Sequence, residues 1–294
     1  MSQGGGAEAV ARLRRAIAEI EAEAGPAGGP SGDRPARRLP LARAFDSALG
    51  GGLAGDALHE IAPAKPQDGA AAMGFALALA ARFLSQRPAS ALIVSEGFAD
   101  QESGALHGPG LMAHGLSLSR LVFVRAPDAA LAFWAMEEAL KCGAPAAVVG
   151  EIWNLKGYSL AASRRLLLAA RKGRVPAFLV LASAYGQAER LSSAAETRFE
   201  IAAAPSRRTP AVAGPDLPGP FACRARLVKG RLARAGPEPF QAFDAGRVIR
   251  LEWRSRDLTF KDTTFRDMAF DDPAISLPLA AASDDRPGAA ARRR

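Results

Sequence analysis

Cysteine is nearly absent from the chain, with two residues in 294, Cys142 and Cys223. They stand far apart, with no CxxC spacing and no histidine beside them. That leaves no basis for a disulfide framework or a zinc site, and both read as buried apolar thiols. Aromatic residues make up only 6% of a chain that is 49% hydrophobic, so a core must be built from Ala, Leu and Val. No apolar run approaches the ~20 residues of a membrane-spanning helix. The opening MSQGGGAEAVARLRRAIAEIEAEAG lacks the apolar centre of a secretory signal, and the expectation is a cytoplasmic protein. Three histidines, His59, His107 and His114, are scattered without a serine or cysteine elbow, which argues against a hydrolase triad and for satisfied or exposed rings. The glycines of DSALGGGLAGD lack the GxGxxG order of a dinucleotide site and read as a tight turn.

Positive charge, by contrast, is in excess. The formal net charge is +8, and residues 207–256 hold eleven Lys/Arg against four Asp/Glu. Such a balance favours contact with nucleic acid or an acidic partner.

Residues 7–24 carry Val10, Leu13, Ile17 and Ile20 at the spacing of an amphipathic helix, and GPAGGPSGDRPARR after them has the composition of a linker. From Leu39 onward, short apolar runs alternate with helical patterns. ALHEIA, SALIVSE, LVFVRA, AAVVGEI and PAFLVLAS read as strands, and residues 70–84, 128–142 and 159–172 as helices. RFEIAAAP and CRARLVKGRL read as late strands, and FQAFDAG with RVIRLEW as a hairpin turning at 244–246. Apolar strands separated by helices imply a parallel sheet covered on both faces. The expected architecture is therefore α/β: a mainly parallel sheet flanked by helices, with antiparallel strands late in the chain.

In such a sheet ligands sit beyond the carboxyl ends of the strands. After LHEI comes APAKPQDGAA, where a phosphate loop would stand. A phosphate loop needs a lysine for the β- and γ-phosphates and a Ser/Thr hydroxyl for the metal. With Gly69 as its last glycine, those places hold Ala70 and Ala71, which offer neither charge nor oxygen. Lys65 is the one nearby cation that could bend back toward a phosphate. Two further strands end in acids, Glu96 and Glu151, the residue type that holds Mg²⁺ and orients water in a metal-dependent hydrolase, or that merely faces solvent at a strand end. Helix 159–172 carries Arg164, Arg165, Arg171 and Lys172, a solvated face or a docking face for DNA phosphates or a partner. Near the C-terminus Phe260, Phe265 and Phe270 recur every five residues, each followed two places on by Asp262, Asp267 and Asp272. A segment of this kind either packs back on the domain or folds against a partner.

The order of these pieces resembles the RecA-like recombinases over most of the chain. FDSALGGGLAGDALHEIA matches the segment leading into the phosphate loop, and GLSLSRLVFVRAPDAALAFWAMEEALKCGAPAAVVGEI the helix–strand–helix–strand that ends in the second acid. More closely, LHEIA, MEEAL with AAVVGEI, and SLAASRRLLLAARKG together resemble the ImuA family of bacterial inducible mutagenesis proteins, related to RecA and SulA. The resemblance implies a role in the SOS response and in error-prone translesion synthesis. The implied partners are an inactive Y-family polymerase relative, ImuB, and an error-prone C-family DNA polymerase. RecA, DNA and the sliding clamp are further candidate partners, the clamp through ISLPL at 275–279, which lacks the initial Gln of a clamp-binding peptide.

The expected organisation is an amphipathic helix and linker over 1–38, a RecA-like domain with a degenerate phosphate loop over 39–254, and an interaction tail over 255–294. Two functions follow from different classes. One is a non-enzymatic adaptor with no cofactor, in which Gly69, Glu96 and Glu151 are remnants of a nucleotide site. The other is a RecA-like ATPase regulating recombination, with Mg²⁺-ATP bound, Lys65 replacing the missing lysine, and Glu96 and Glu151 kept for catalysis.

Overall fold

A computed structural model describes residues 37–206, 208–209, 217–230 and 247–263. Nine strands form one sheet. They are β1 Leu58–Pro63, β2 Ala91–Glu96, β3 Leu121–Ala126, β4 Ala147–Ile152, β5 Ala177–Leu181, β6 Thr197–Ala203, β7 Ala222–Gly230, β8 Val248–Arg254 and β9 Thr259–Thr263. Their spatial order is β9-β8-β7-β6-β1-β5-β4-β2-β3. The pairs from β6 through β1, β5, β4 and β2 to β3 are all parallel, while β6–β7, β7–β8 and β8–β9 are antiparallel. This is the mainly parallel α/β sheet with late antiparallel strands that the sequence implies.

Three long helices cover the sheet: α1 Gly69–Leu84, α2 Ala129–Cys142 and α3 Leu160–Gly173. Two start where the sequence supplies a cap. Asp128 Oδ1 accepts the Leu131 N–H at 2.8 Å, and Ser159 Oγ accepts the Ala162 N–H at 3.1 Å, each satisfying a donor that the first helical turn leaves without an intrahelical partner. Strand alternation sorts the apolar side chains. Ile61, Ile93, Val149 and Phe178 pack on the face that α1 covers. Leu92, Val94, Val148 and Leu179 pack on the face under α2 and α3. The central strands are buried on both faces, which is why they read as unbroken apolar runs, while edge strand β3 leaves Phe123 and Arg125 exposed. The approach of α2 is close at Gly150, where an added Cβ would stand 2.2 Å from Met136 Sδ.

Two expectations at the C-terminal end change. Val248–Arg254 pairs with Ala222–Gly230 on one side and with Thr259–Thr263 on the other; residues 240–246, expected as its hairpin partner, lie outside the described residues. The domain also continues past 254. Phe260 is buried, with its ring 4.9 Å from Trp253 and 5.3 Å from Phe75, and Asp262 Oδ2 accepts the Ala44 N–H at 3.0 Å. The first phenylalanine of the repeat is thus a core residue, because β8 offers an antiparallel edge and α1 an aromatic surface. Phe265, Phe270 and segment 275–279 lie outside the described residues, as does segment 7–24.

Candidate functional site

The loop after β1 carries the candidate site at the carboxyl end of the sheet. Ala64 N donates to Ile201 O at 2.8 Å, which pins the chain beside β6 as it leaves β1. Lys65, half-buried, then opens a 3₁₀ turn, Pro66–Asp68, that leads straight into α1. Asp68 organises this turn. Its Oδ1 accepts the Ala203 N–H at 2.8 Å, its Oδ2 accepts the Lys65 N–H at 3.1 Å, and the side chain is buried.

Asp68 immediately precedes α1, whose free N–H groups carry partial positive charge; its side chain caps none of them and accepts the Lys65 and Ala203 N–H groups instead. A helix end of this kind attracts phosphate in nucleotide-binding proteins. Here the residue that precedes this end is a buried acid. Gly69 has helical dihedrals (φ −54°), and a Cβ built on it meets nothing within 4 Å, so neither backbone nor packing requires glycine there. Ala70 is exposed and Ala71 buried, where the lysine and hydroxyl of a phosphate loop would stand.

The two acids are near neighbours in sequence register but not in direction. Ser95 of β2 pairs with Glu151 of β4. Glu151 therefore shares a face with Val149, beneath α1, and Glu96, one residue beyond Ser95, shares the opposite face with Val94. Their partners differ accordingly. One oxygen of Glu96, Oε2, accepts both Trp153 N at 2.8 Å and Asn154 N at 2.9 Å, tying the end of β2 to the loop after β4. Glu151 Oε1 accepts Ser103 Oγ and Trp153 Nε1, each at 3.1 Å. Both carboxylates are buried and engaged in holding loops together. Among the described residues, no group of three His, Cys, Asp or Glu side chains is placed to hold a metal ion. The site positions Gly69, Glu96 and Glu151 at one end of the sheet, as the sequence implied, without bringing the acids together around one point.

A buried ion pair beside this site was not anticipated. Glu60 of β1 and Arg198 of β6 are 0% and 2% exposed at the side chain and meet at 2.7 Å. Arg198 Nη1 also donates to Ala188 O at 2.6 Å and Leu191 O at 2.7 Å, and Glu60 accepts Ser193 Oγ at 2.6 Å and the Tyr158 hydroxyl. Burial and the neighbouring Glu60 carboxylate push the Tyr158 phenol above its usual range. The pair clamps the loop between β5 and β6 against the sheet. The available signal was charge within two buried strands, Glu60 in LHEIAP and Arg198 and Glu200 in TRFEIAA; the pairing of Glu60 with Arg198 across 138 positions was not readable.

His59, on β1, is buried between Thr197 Oγ1 at 2.8 Å and Ala54 O at 2.9 Å, and burial lowers its pKa from 6.5 to about 4. His114 accepts a structural role too: its ring stacks 5.6 Å from Trp253, and Nε2 lies 2.9 Å from Gly74 O. Part of the basic excess is also internal. Arg226 pairs with Glu200 and Glu189, each at 2.6 Å, and Arg250 Nη2 donates to Pro205 O at 2.7 Å. On α3, Arg165 turns toward Glu137 of α2 and pairs with it. Arg164, Arg171 and Lys172 face outward and carry no ion pair among the described residues.

A scan against protein-family models finds no match. Among solved structures, the crystal structure of the RadB recombinase is similar at 16% identity and a TM-score of 0.45, over 76% of this chain and 98% of that one. Protein ImuA from two strains of Caulobacter vibrioides is 35% identical over 205 residues, spanning 67% of this chain and 79% of the relative. At that identity and coverage, the chain belongs to the ImuA family.

Proposed function

We propose that this protein is a non-enzymatic adaptor of an SOS-induced, error-prone translesion synthesis complex: a RecA-like shell that has given up nucleotide chemistry and serves as a docking surface. The observation that carries this reading is Asp68. A buried carboxylate fixed at the start of α1 by two backbone N–H groups repels a triphosphate at the place where a phosphate loop would attract it. Ala70 and Ala71 supply no compensating charge or metal ligand, and Glu96 and Glu151 are held by loop contacts on opposite faces of the sheet. These residues do not fit Mg²⁺-ATP.

Membership of the ImuA family supports the DNA-damage setting. The proposed partners are an ImuB-like inactive Y-family polymerase and an error-prone C-family DNA polymerase, with RecA, the sliding clamp and DNA as further contacts. No described helix is long and apolar enough to cross a membrane. Equilibrium dialysis of the full chain with ATP and Mg²⁺, alongside a pull-down of the polymerase partners from DNA-damaged cells, tests the proposal. The expected result is no saturable nucleotide binding together with recovery of the partners. Saturable, Mg²⁺-dependent binding that Lys65→Ala abolishes would replace it with the ATPase reading.

A further inference from the structure

The outer face of α3 is incompletely covered. Leu160 and Leu168 are each 53% exposed. With Arg164 and Arg171 they fall within a narrow arc of the helix, and Lys172 flanks it. The inner face, with Leu166, Leu167 and Ala170, is buried against the sheet and α2. A stripe of two leucines alternating with basic residues that carry no ion pair among the described residues fits an apolar helix edged with acids.

The chain supplies such a segment itself. Residues 7–24 carry Val10, Leu13, Ile17 and Ile20 on one face; Glu21 and Glu23 flank that face toward its C-terminal end, and Arg14 flanks it nearer the N-terminal end. Arg37 bonds Gln86 after α1. Next to it, Arg87 donates to Gly143 O and Pro145 O at 3.1 Å each. Gly143 in turn lies against Gly173, the last residue of α3: a Cβ added to Gly143 would be 3.0 Å from Gly173 O. The chain therefore enters the domain at the end where α3 finishes. Residues 25–36 extended span up to ~40 Å, and a 14-residue helix is ~21 Å long. The reach is ample.

Reach permits either orientation, and charge selects one. Only with the segment's C-terminal end at the C-terminal end of α3 do Glu21 and Glu23 meet Arg171 and Lys172. We propose that residues 7–24 dock as a helix along the exposed face of α3, parallel to it, with Ile17 and Ile20 covering Leu168. The contact takes Arg164 and Arg171 out of reach of nucleic acid and makes this helix face a covered surface that a stronger acidic helix could compete for.

The test uses the full chain with Cys142→Ser. Ile20→Cys is combined with Leu168→Cys, or, as a control, with Met112→Cys, which is 55% exposed and near the opposite face of the sheet. Under mild oxidation at low micromolar concentration, the Leu168 pair is expected to close within one chain at least ten-fold faster than the control. Arg171→Glu should slow closure several-fold, and Glu23→Arg in the same chain should restore it. Equal rates for the two pairs overturn the proposal. So does a product made mainly of cross-linked dimers, which would give the face to a second copy, and so does slowing that Glu23→Arg does not reverse.

Discussion

Replacing Asp68 with alanine tests the reasoning about the phosphate-loop position most directly. The side chain accepts two backbone N–H groups, Ala203 at 2.8 Å and Lys65 at 3.1 Å, from a buried position. A hydrogen bond to a charged group contributes ~1.5–3 kcal/mol, and a stranded buried donor costs ~1–3 kcal/mol. Both stranded donors belong to half-buried residues that water can partly reach, which favours the lower end, so Asp68→Ala should cost about 3 kcal/mol. Asp68→Asn keeps one acceptor oxygen and should cost about half as much. With a urea slope of ~3 kcal/mol/M, the alanine variant unfolds ~1 M earlier. A loss below ~0.5 kcal/mol would refute the view that Asp68 organises the loop. The electrostatic half of the argument has its own arm. A like charge ~4 Å from a phosphate, at an effective dielectric of 20, costs ~4 kcal/mol, on the order of a thousand-fold in affinity. Ala70→Lys with Ala71→Thr should therefore fail to bind ATP while Asp68 remains and should gain binding when Asp68→Ser is added. Saturable ATP binding by the two-residue variant alone would sink the claim that the carboxylate blocks the site.

Other outcomes follow from the same geometry. His59 has its folded pKa lowered to about 4 from 6.5, so its contribution is fully present above pH 6.5 and is lost as pH falls toward 4. Linkage puts the loss at about 2 kcal/mol between pH 7.5 and 5, and the stability difference between the parent and His59→Gln should shrink by that amount; a pH-independent difference counts against a buried neutral ring. Phe260→Ala should destabilise the domain by ~3 kcal/mol through the cavity left between Trp253 and Phe75, and urea midpoints unchanged within error would return Phe260 to the tail. Glu60→Gln strands the Arg198 guanidinium in the interior and should cost ~3–5 kcal/mol, with faster limited proteolysis between residues 183 and 196; an intact cleavage pattern would mean that other contacts hold that loop.

The layers of the fold were legible because burial on both faces leaves a local trace. A strand such as ALIVSE has no polar alternation to hide its apolar run, and Asp128 and Ser159 mark helix starts by the type of side chain alone. The lack of a lysine and a hydroxyl after Gly69 was legible without any structure, since Ala70 and Ala71 stand at those offsets. What sequence could not give was direction. Glu96 and Glu151 look like a pair when each is read as the last acid of its strand. The register that pairs Ser95 with Glu151 puts them on opposite faces, and register is set by the packing of α1, α2 and α3 rather than by either strand. Phe260 was ambiguous in a related way. A phenylalanine every five residues fits neither the period of a strand nor that of a helix, and only the edge offered by β8 decides that the first of the three turns inward.

Asp68 shows how the two kinds of information combine. As a letter it is one more polar residue in a Pro-rich loop. Its bond to Ala203, 135 positions away, converts it into the latch between the loop and β6. A helix end that lacked only a lysine would stay open and anion-attracting, and such an end would still take phosphate weakly. An acid held next to that end would oppose a phosphate as well, and that added repulsion is what separates the proposed adaptor from a weak nucleotide binder in the Asp68→Ser comparison.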